Sequence, residues 1–152
     1  MSASVFGQKL AVVVFALTFY CLGTTYFEAF VNYRTWPFIG AGDFRTYHQA
    51  LTPLVVRVML VPIAVDLACL LILLVLRPAT IPLWAIAASL ALLGTAIVSS
   101  AFIQIPIQGE LSRLGLSMPL IERLIATDIV LRKIPLGMNA FLWLYVFMTR
   151  RA

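Results

Sequence analysis

Four apolar runs, at about residues 10–31, 53–76, 82–103 and 119–149, constrain this chain more than any single motif. Each is long enough to cross a hydrocarbon layer of ~30 Å, which takes about 20 helical residues. Inside such a layer every backbone polar group must be satisfied within its own segment, and helices do that. The second and third runs are joined by the short "LRPATIP", whose two prolines favour a turn over a continuing helix. The architecture expected is all-α: a four-helix transmembrane up-and-down bundle, with residues 1–152 as one integral membrane domain.

Composition agrees. Hydrophobic residues make up 62% and charged residues 11% of the chain, whereas soluble domains carry about a quarter charged residues. The formal charge of +5 comes from basic residues scattered singly at helix ends. That pattern suits anchoring to anionic lipid head groups, so the expected partner is the bilayer and not nucleic acid. Cys21 and Cys69 form no C-x-x-C pair and read as packing residues. Lys9 precedes an apolar run too long for a signal-peptide core, so the first run reads as a retained span.

The connection "NYRTWPFIGAGDFRTYHQALT", residues 32–52, is more patterned than a linker. Gly40 and Gly42 allow a bend, Asp43 can cap, and Phe44, Tyr47, His48 and Leu51 share one helical face. This predicts a short interfacial helix between spans one and two, with Tyr33, Trp36 and Tyr47 at head-group level. Before the fourth span, Gly115 supplies a turn, Ser117 a cap and Pro119 a first-turn proline. No internal repeat is visible. For orientation, Lys9, Arg77, Arg150 and Arg151 belong to one side, and Arg34, Arg45, Arg113 and Arg123 to the other. Adding Arg57, Arg132 and Lys133 tilts the second side towards the cytoplasm.

Alternating direction gathers the end of span one, the start of span two, the end of span three and the start of span four. Those ends carry Glu28, Arg57, Gln104 with Gln108, and Asp128 with Arg132. Ionisable groups in a membrane are costly, so their convergence is read as a site. Helical phase supports it: Thr18, Cys21, Thr25 and Glu28 form one stripe, Ser100, Gln104 and Gln108 another, and Asp128, Arg132, Pro135 and Asn139 a third. Lys133, one residue on, is expected to point elsewhere and snorkel. Asp66 lies nine residues from Arg57, on the opposite face of an ideal helix, and is placed deeper in the bundle, with Pro62 able to alter the phase.

Two readings of these charges stay open. Either Glu28 with Arg57 and Asp128 with Arg132 are buried pairs that hold the bundle, or the groups line a pocket that orients a lipophilic small molecule. His48, the one histidine, is a residue type suited to general-base work near neutral pH. It cannot supply bis-histidine haem ligation alone. Glu28, Asp66 and Asp128 lack the Glu-x-x-His repeat of di-iron bundles. No nucleotide loop, nucleophile elbow or zinc signature is present, so no metal or other cofactor is expected.

The stretches "AFIQIPIQGEL" (101–111) and "LIATDIVLRKIPLGMNAFL" (124–142) resemble the anthrone-oxygenase-like family of small four-span membrane proteins. Pro106 and Gln108 stand at the family's proline and amide positions, Asp128 and Arg132 near its fourth-helix polar pair, and Glu28 before "FVNYRTWP" near the first-helix exit. The chain departs from the pattern where Gln108 replaces the usual Asn and where Asp128 stands in place of Trp or Asn. The resemblance implies oxidation of polycyclic anthrones to anthraquinones without metal or flavin, although most bacterial relatives have no assigned activity; the expected location is a bacterial inner membrane. With the residue reading it points to His48, Glu28, Asp128 and Arg132 as catalytic candidates. Arg57, Gln104, Gln108, Asn139, Trp36, Tyr47 and Asp66 are the substrate-binding candidates. The alternatives are a non-catalytic membrane subunit or lipid-binding protein, and a proton-coupled transporter using Glu28 or Asp66, for which a homo-oligomer would be needed to enclose a path.

Overall fold

In the computed structural model, which describes residues 3–149, no strand is formed among the described residues and almost all of them lie in four long helices. These are α1 (Val5–Phe38), α2 (Ala41–Leu76), α3 (Leu83–Leu114) and α4 (Met118–Thr149). All four are long and apolar enough to cross a bilayer, which makes this an integral membrane protein. Consecutive helices pack side by side and α4 closes on α1, giving an up-and-down four-helix bundle. Arg150 and Arg151, used above for orientation, lie outside the described residues.

The helices outrun the apolar segments because nothing stops them at the hydrocarbon boundary. At 1.5 Å per residue, 32 to 36 residues span about 48–54 Å. Helix α1 therefore continues past residue 31, and residues 41–52 form the first turns of α2 instead of a separate interfacial helix. Asp43 lies in that first turn, whereas Gly40 is the N-cap residue. The stops are chemical. Gly115 adopts φ +93, a conformation that side chains resist, and its N–H bonds the Leu111 carbonyl to close α3. Ser117 then occupies the N-cap of α4, without a side-chain capping bond.

Two apolar cores divide the bundle. The larger contains Val14, Cys21, Leu70, Leu73, Ile86, Leu93 and Trp143, with the Trp143 indole donating to Ser89 Oγ at 2.9 Å. A hydrogen bond of this kind stabilises helix association where lipid offers no hydrophobic driving force. The second, at the end shared by the two short connections, contains Tyr33, Trp36, Phe44, Leu111, Ile121 and Leu124. Tyr33 and Trp36 are thus buried and not displayed at head-group level; Tyr47 is exposed.

Between the two cores each helix opens into one π turn: Glu28–Asn32, Val56–Leu60, Ser100–Gln104 and Ile129–Lys133. In each the hydrogen bond reaches back five residues, for example from the Ile134 N–H to the Ile129 carbonyl. Three of these turns are followed by the same pattern, Val61-Pro62-Ile63, Ile105-Pro106-Ile107 and Ile134-Pro135-Leu136. Proline lacks an N–H and its ring clashes with the carbonyl four residues back, so a turn opened just before it is favoured. The chain therefore contains a short recurrence that a search for long repeats passes over.

Candidate functional site

A π turn carries one extra residue, so residues five apart come onto one face. Glu28 and Tyr33 are both buried, the Ser99 hydroxyl donates to Gln104 Oε1 at 2.8 Å, and Lys133 Nζ lies 2.6 Å from Asp128 Oδ2. The turns of α1, α3 and α4 thus concentrate polar side chains at one level, whereas that of α2 presents Met59, and together the four define the site. They surround a cavity of about 240 Å³ walled mainly by α2 and α3, with Glu28, Tyr33 and Trp36 of α1 and Arg132 of α4 behind.

One polar group is a chain across the cavity. The Ser112 hydroxyl lies 2.8 Å from His48 Nδ1, His48 Nε2 lies 2.7 Å from Gln108 Oε1, and the Gln108 amide donates to Tyr33 OH at 3.1 Å. Because the Gln108 nitrogen is committed to Tyr33, its oxygen faces His48, and the tautomer assigned from this network carries the ring proton on Nε2. Nδ1 then accepts from Ser112. Trp36 stands edge-on to the imidazole at 5.0 Å and Phe44 stacks on it at 5.5 Å. His48 is fixed on every side.

The other group is ionic. Asp128, fully buried, pairs through Oδ1 with Arg132 Nη1 at 3.0 Å and through Oδ2 with Lys133. Glu28, within electrostatic reach of all three, accepts from Asn32 Nδ2 at 2.8 Å. Asn32 Oδ1 in turn accepts from Trp36 Nε1 at 3.2 Å and Tyr47 OH at 3.4 Å. Two carboxylates facing two cations make a balanced cluster when all are ionised, which limits the cost of its burial.

Between these groups stands Gln104, 2% exposed, whose Nε2 has no hydrogen-bond partner although it borders the cavity. A buried donor without a partner costs about 1–3 kcal/mol. Such an atom marks a place where a further acceptor fits.

Of the residues picked out by sequence, Glu28, Trp36, His48, Gln104, Gln108 and Arg132 line the cavity together. Asp128 lies behind it and holds Arg132. Arg57 does not join: it is exposed on α2 and makes no pair with Glu28, because the turn at Val56–Leu60 directs Met59 inward instead. Lys133 does not snorkel; it is buried against Asp128. Tyr47 does not line the cavity either: it is exposed and its hydroxyl donates to Asn32 Oδ1. Asp66 and Asn139 are fully buried outside the cavity lining, Asp66 accepting from Thr18 Oγ1 at 3.3 Å.

Tyr33, Ser112, Asn32 and Lys133 were not foreseen as site residues. Ser112 continues the Gln104, Gln108 spacing of four, and Asn32 stands four after Glu28, so both were within reach of the same stripe argument. Among the described residues, no group of three or more His, Cys, Asp or Glu is placed to hold a metal ion. No protein-family model, no curated protein and no solved structure matches the chain.

Proposed function

We propose that this membrane protein binds a lipophilic, phenol-like small molecule near one face of the bilayer and acts on it by acid–base chemistry, as a cofactor-independent oxygenase of a bacterial plasma membrane. The observation that carries the reading is the unpartnered amide nitrogen of Gln104, a residue that borders a cavity also lined by Glu28 and Arg132. These three groups supply an acceptor and two donors for one hydroxyl or enolisable carbonyl. The position at a bilayer face is supported by the exposed residues Arg57 and Arg77, which are 20 helical positions, or about 30 Å, apart on α2.

In this reading Glu28 takes the proton from a phenol or from an acidic C–H next to a carbonyl. Arg132 and Gln104 stabilise the resulting phenolate or enolate. Dioxygen, the co-reactant, oxidises that anion; for an anthrone, one oxygen atom becomes the new carbonyl and the other leaves as water. His48 and Asp128, whose polar atoms are already engaged, position Gln108 and Arg132.

The test is oxygen uptake and quinone formation by purified protein in nanodiscs with anthrone as probe. Glu28→Gln is expected to lower turnover by at least ~100-fold, the scale of a general base. Absence of both binding and oxygen uptake in the wild-type protein rules the reading out. A second reading, a non-catalytic membrane subunit or lipid-binding protein, is favoured by the double pairing of Asp128. It expects binding without turnover, insensitive to Glu28→Gln.

A further inference from the structure

A second cavity, of about 210 Å³, adjoins the first along the same seam between α2 and α3, and Leu60, Ser100, Ile105 and Arg132 line both. On α2 the extension runs from Leu60 to Leu67, about 10 Å towards the middle of the spans. Arg132 and Ser100, at the junction, are its only polar lining residues. Ala64, Ala96 and Ala101 keep the seam open, and Ala64, Ala101 and Ile105 are exposed on the outside of the bundle. In a spanning chain the trough therefore opens sideways to lipid.

We infer that the ligand is a single-tailed amphiphile: a phenol- or hydroquinone-type head in the polar cavity, with its hydrocarbon tail in the trough between α2 and α3. This rests on the proposed function and adds the substrate class and the route of access. A hydroxyl head both donates to Glu28 and accepts from Gln104 and Arg132. The head sits where the π turns carry polar groups, and the adjoining space along the seam is apolar, directed towards the bilayer centre and bounded by small side chains. A tail already dissolved in lipid gains little free energy on moving into an apolar trough. The trough consequently selects shape and depth, and its contribution is read as steric discrimination.

The experiment uses 4-ethylphenol and 4-dodecylphenol as probes with the full chain in nanodiscs, following quenching of tryptophan fluorescence at matched membrane concentrations; Trp36 borders the cavity. Ala64→Phe and Ala101→Phe fill the trough from positions that accept bulk on the exposed side. Both variants are expected to bind 4-ethylphenol within twofold of wild type and 4-dodecylphenol at least tenfold more weakly. Equal effects on the two phenols, or none on either, overturn the tail assignment and leave the head site standing. Failure of wild type to bind either phenol overturns both. Independently of the variants, a 4-alkylphenol with a terminal diazirine should label residues 60–67 or 96–105 on illumination; labelling confined to other segments overturns the inference.

Discussion

Lys133 Nζ lies 2.6 Å from Asp128 Oδ2, although the two residues are five apart in a helix. An α-helical turn places residues three and four apart side by side. The π turn at Ile129–Lys133 adds the residue that brings the fifth onto the same face, so one carboxylate holds two adjacent cations. Arg132, steadied in this way, borders the cavity. The wide turn thus links a backbone irregularity to the orientation of a charged group at the site.

Asp128→Asn leaves both cations buried against a neutral amide. Removing one partner of a buried pair typically costs about 3–5 kcal/mol, and this substitution should lower unfolding stability in micelles by that order. Adding Lys133→Met removes one of the stranded charges and is expected to restore part of the loss, with a coupling of about 0.5–3 kcal/mol. Strictly additive effects in the cycle would show that the two side chains do not interact.

Gln104→Leu separates stability from function. The amide nitrogen has no protein partner to lose, and the Ser99 hydroxyl can turn to a backbone carbonyl of its own helix. Stability should change by less than about 1 kcal/mol, because the orphaned donor disappears along with the bond from Ser99. Binding of a phenolic probe should nevertheless fall about tenfold or more, as measured by fluorescence titration. Unchanged binding would remove Gln104 from the site.

The fold was legible because hydropathy reports directly on what lipid tolerates, and the bundle order followed from alternating direction. The stops at Gly40 and Gly115 lie beyond the apolar runs, where hydropathy does not register them, and glycine itself, with Ser117 and Pro119, was the signal that located them. Side-chain phase held for two stripes that reach into or across a π turn: Thr18, Cys21, Thr25 and Glu28 are all buried, as are Asp128, Arg132, Pro135 and Asn139. It failed for Lys133 and Arg57, where the extra residue of a π turn changes which neighbouring position faces inward. The recurring Val-Pro-Ile, Ile-Pro-Ile and Ile-Pro-Leu patterns were the available signal for those turns.

Arg57→Ala tests that correction. An exposed cation with no carboxylate partner among the described residues contributes through lipid head groups at most, so the substitution should leave phenol binding within twofold and stability within about 0.5 kcal/mol. A loss of binding comparable to that of Arg132→Gln would place Arg57 in the site after all.

His48→Asn should lower turnover by no more than about tenfold, against at least ~100-fold for Glu28→Gln. Both imidazole nitrogens are engaged, by Ser112 and Gln108, so the ring acts on the reaction by holding Gln108. Its loss should be visible mainly in KM, since a displaced amide weakens substrate binding before it touches the proton-transfer step. If His48→Asn instead abolishes kcat while Glu28→Gln retains it, the base has been assigned to the wrong residue.

Asp66 sits outside this machinery, and its substitution should behave oppositely. It is fully buried, accepts one bond of 3.3 Å from Thr18, leaves Oδ1 without a partner and forms no ion pair among the described residues. An ionised carboxylate in such surroundings costs several kcal/mol, whereas an amide of the same shape keeps the Thr18 bond. Asp66→Asn is therefore expected to stabilise the bundle by about 1–3 kcal/mol, measured by thermal unfolding in detergent. Phenol binding should be unchanged, because Asp66 borders neither cavity. Destabilisation by this variant, with loss of proton or cation flux in reconstituted vesicles, would instead assign the carboxylate to a transport path through the bundle centre.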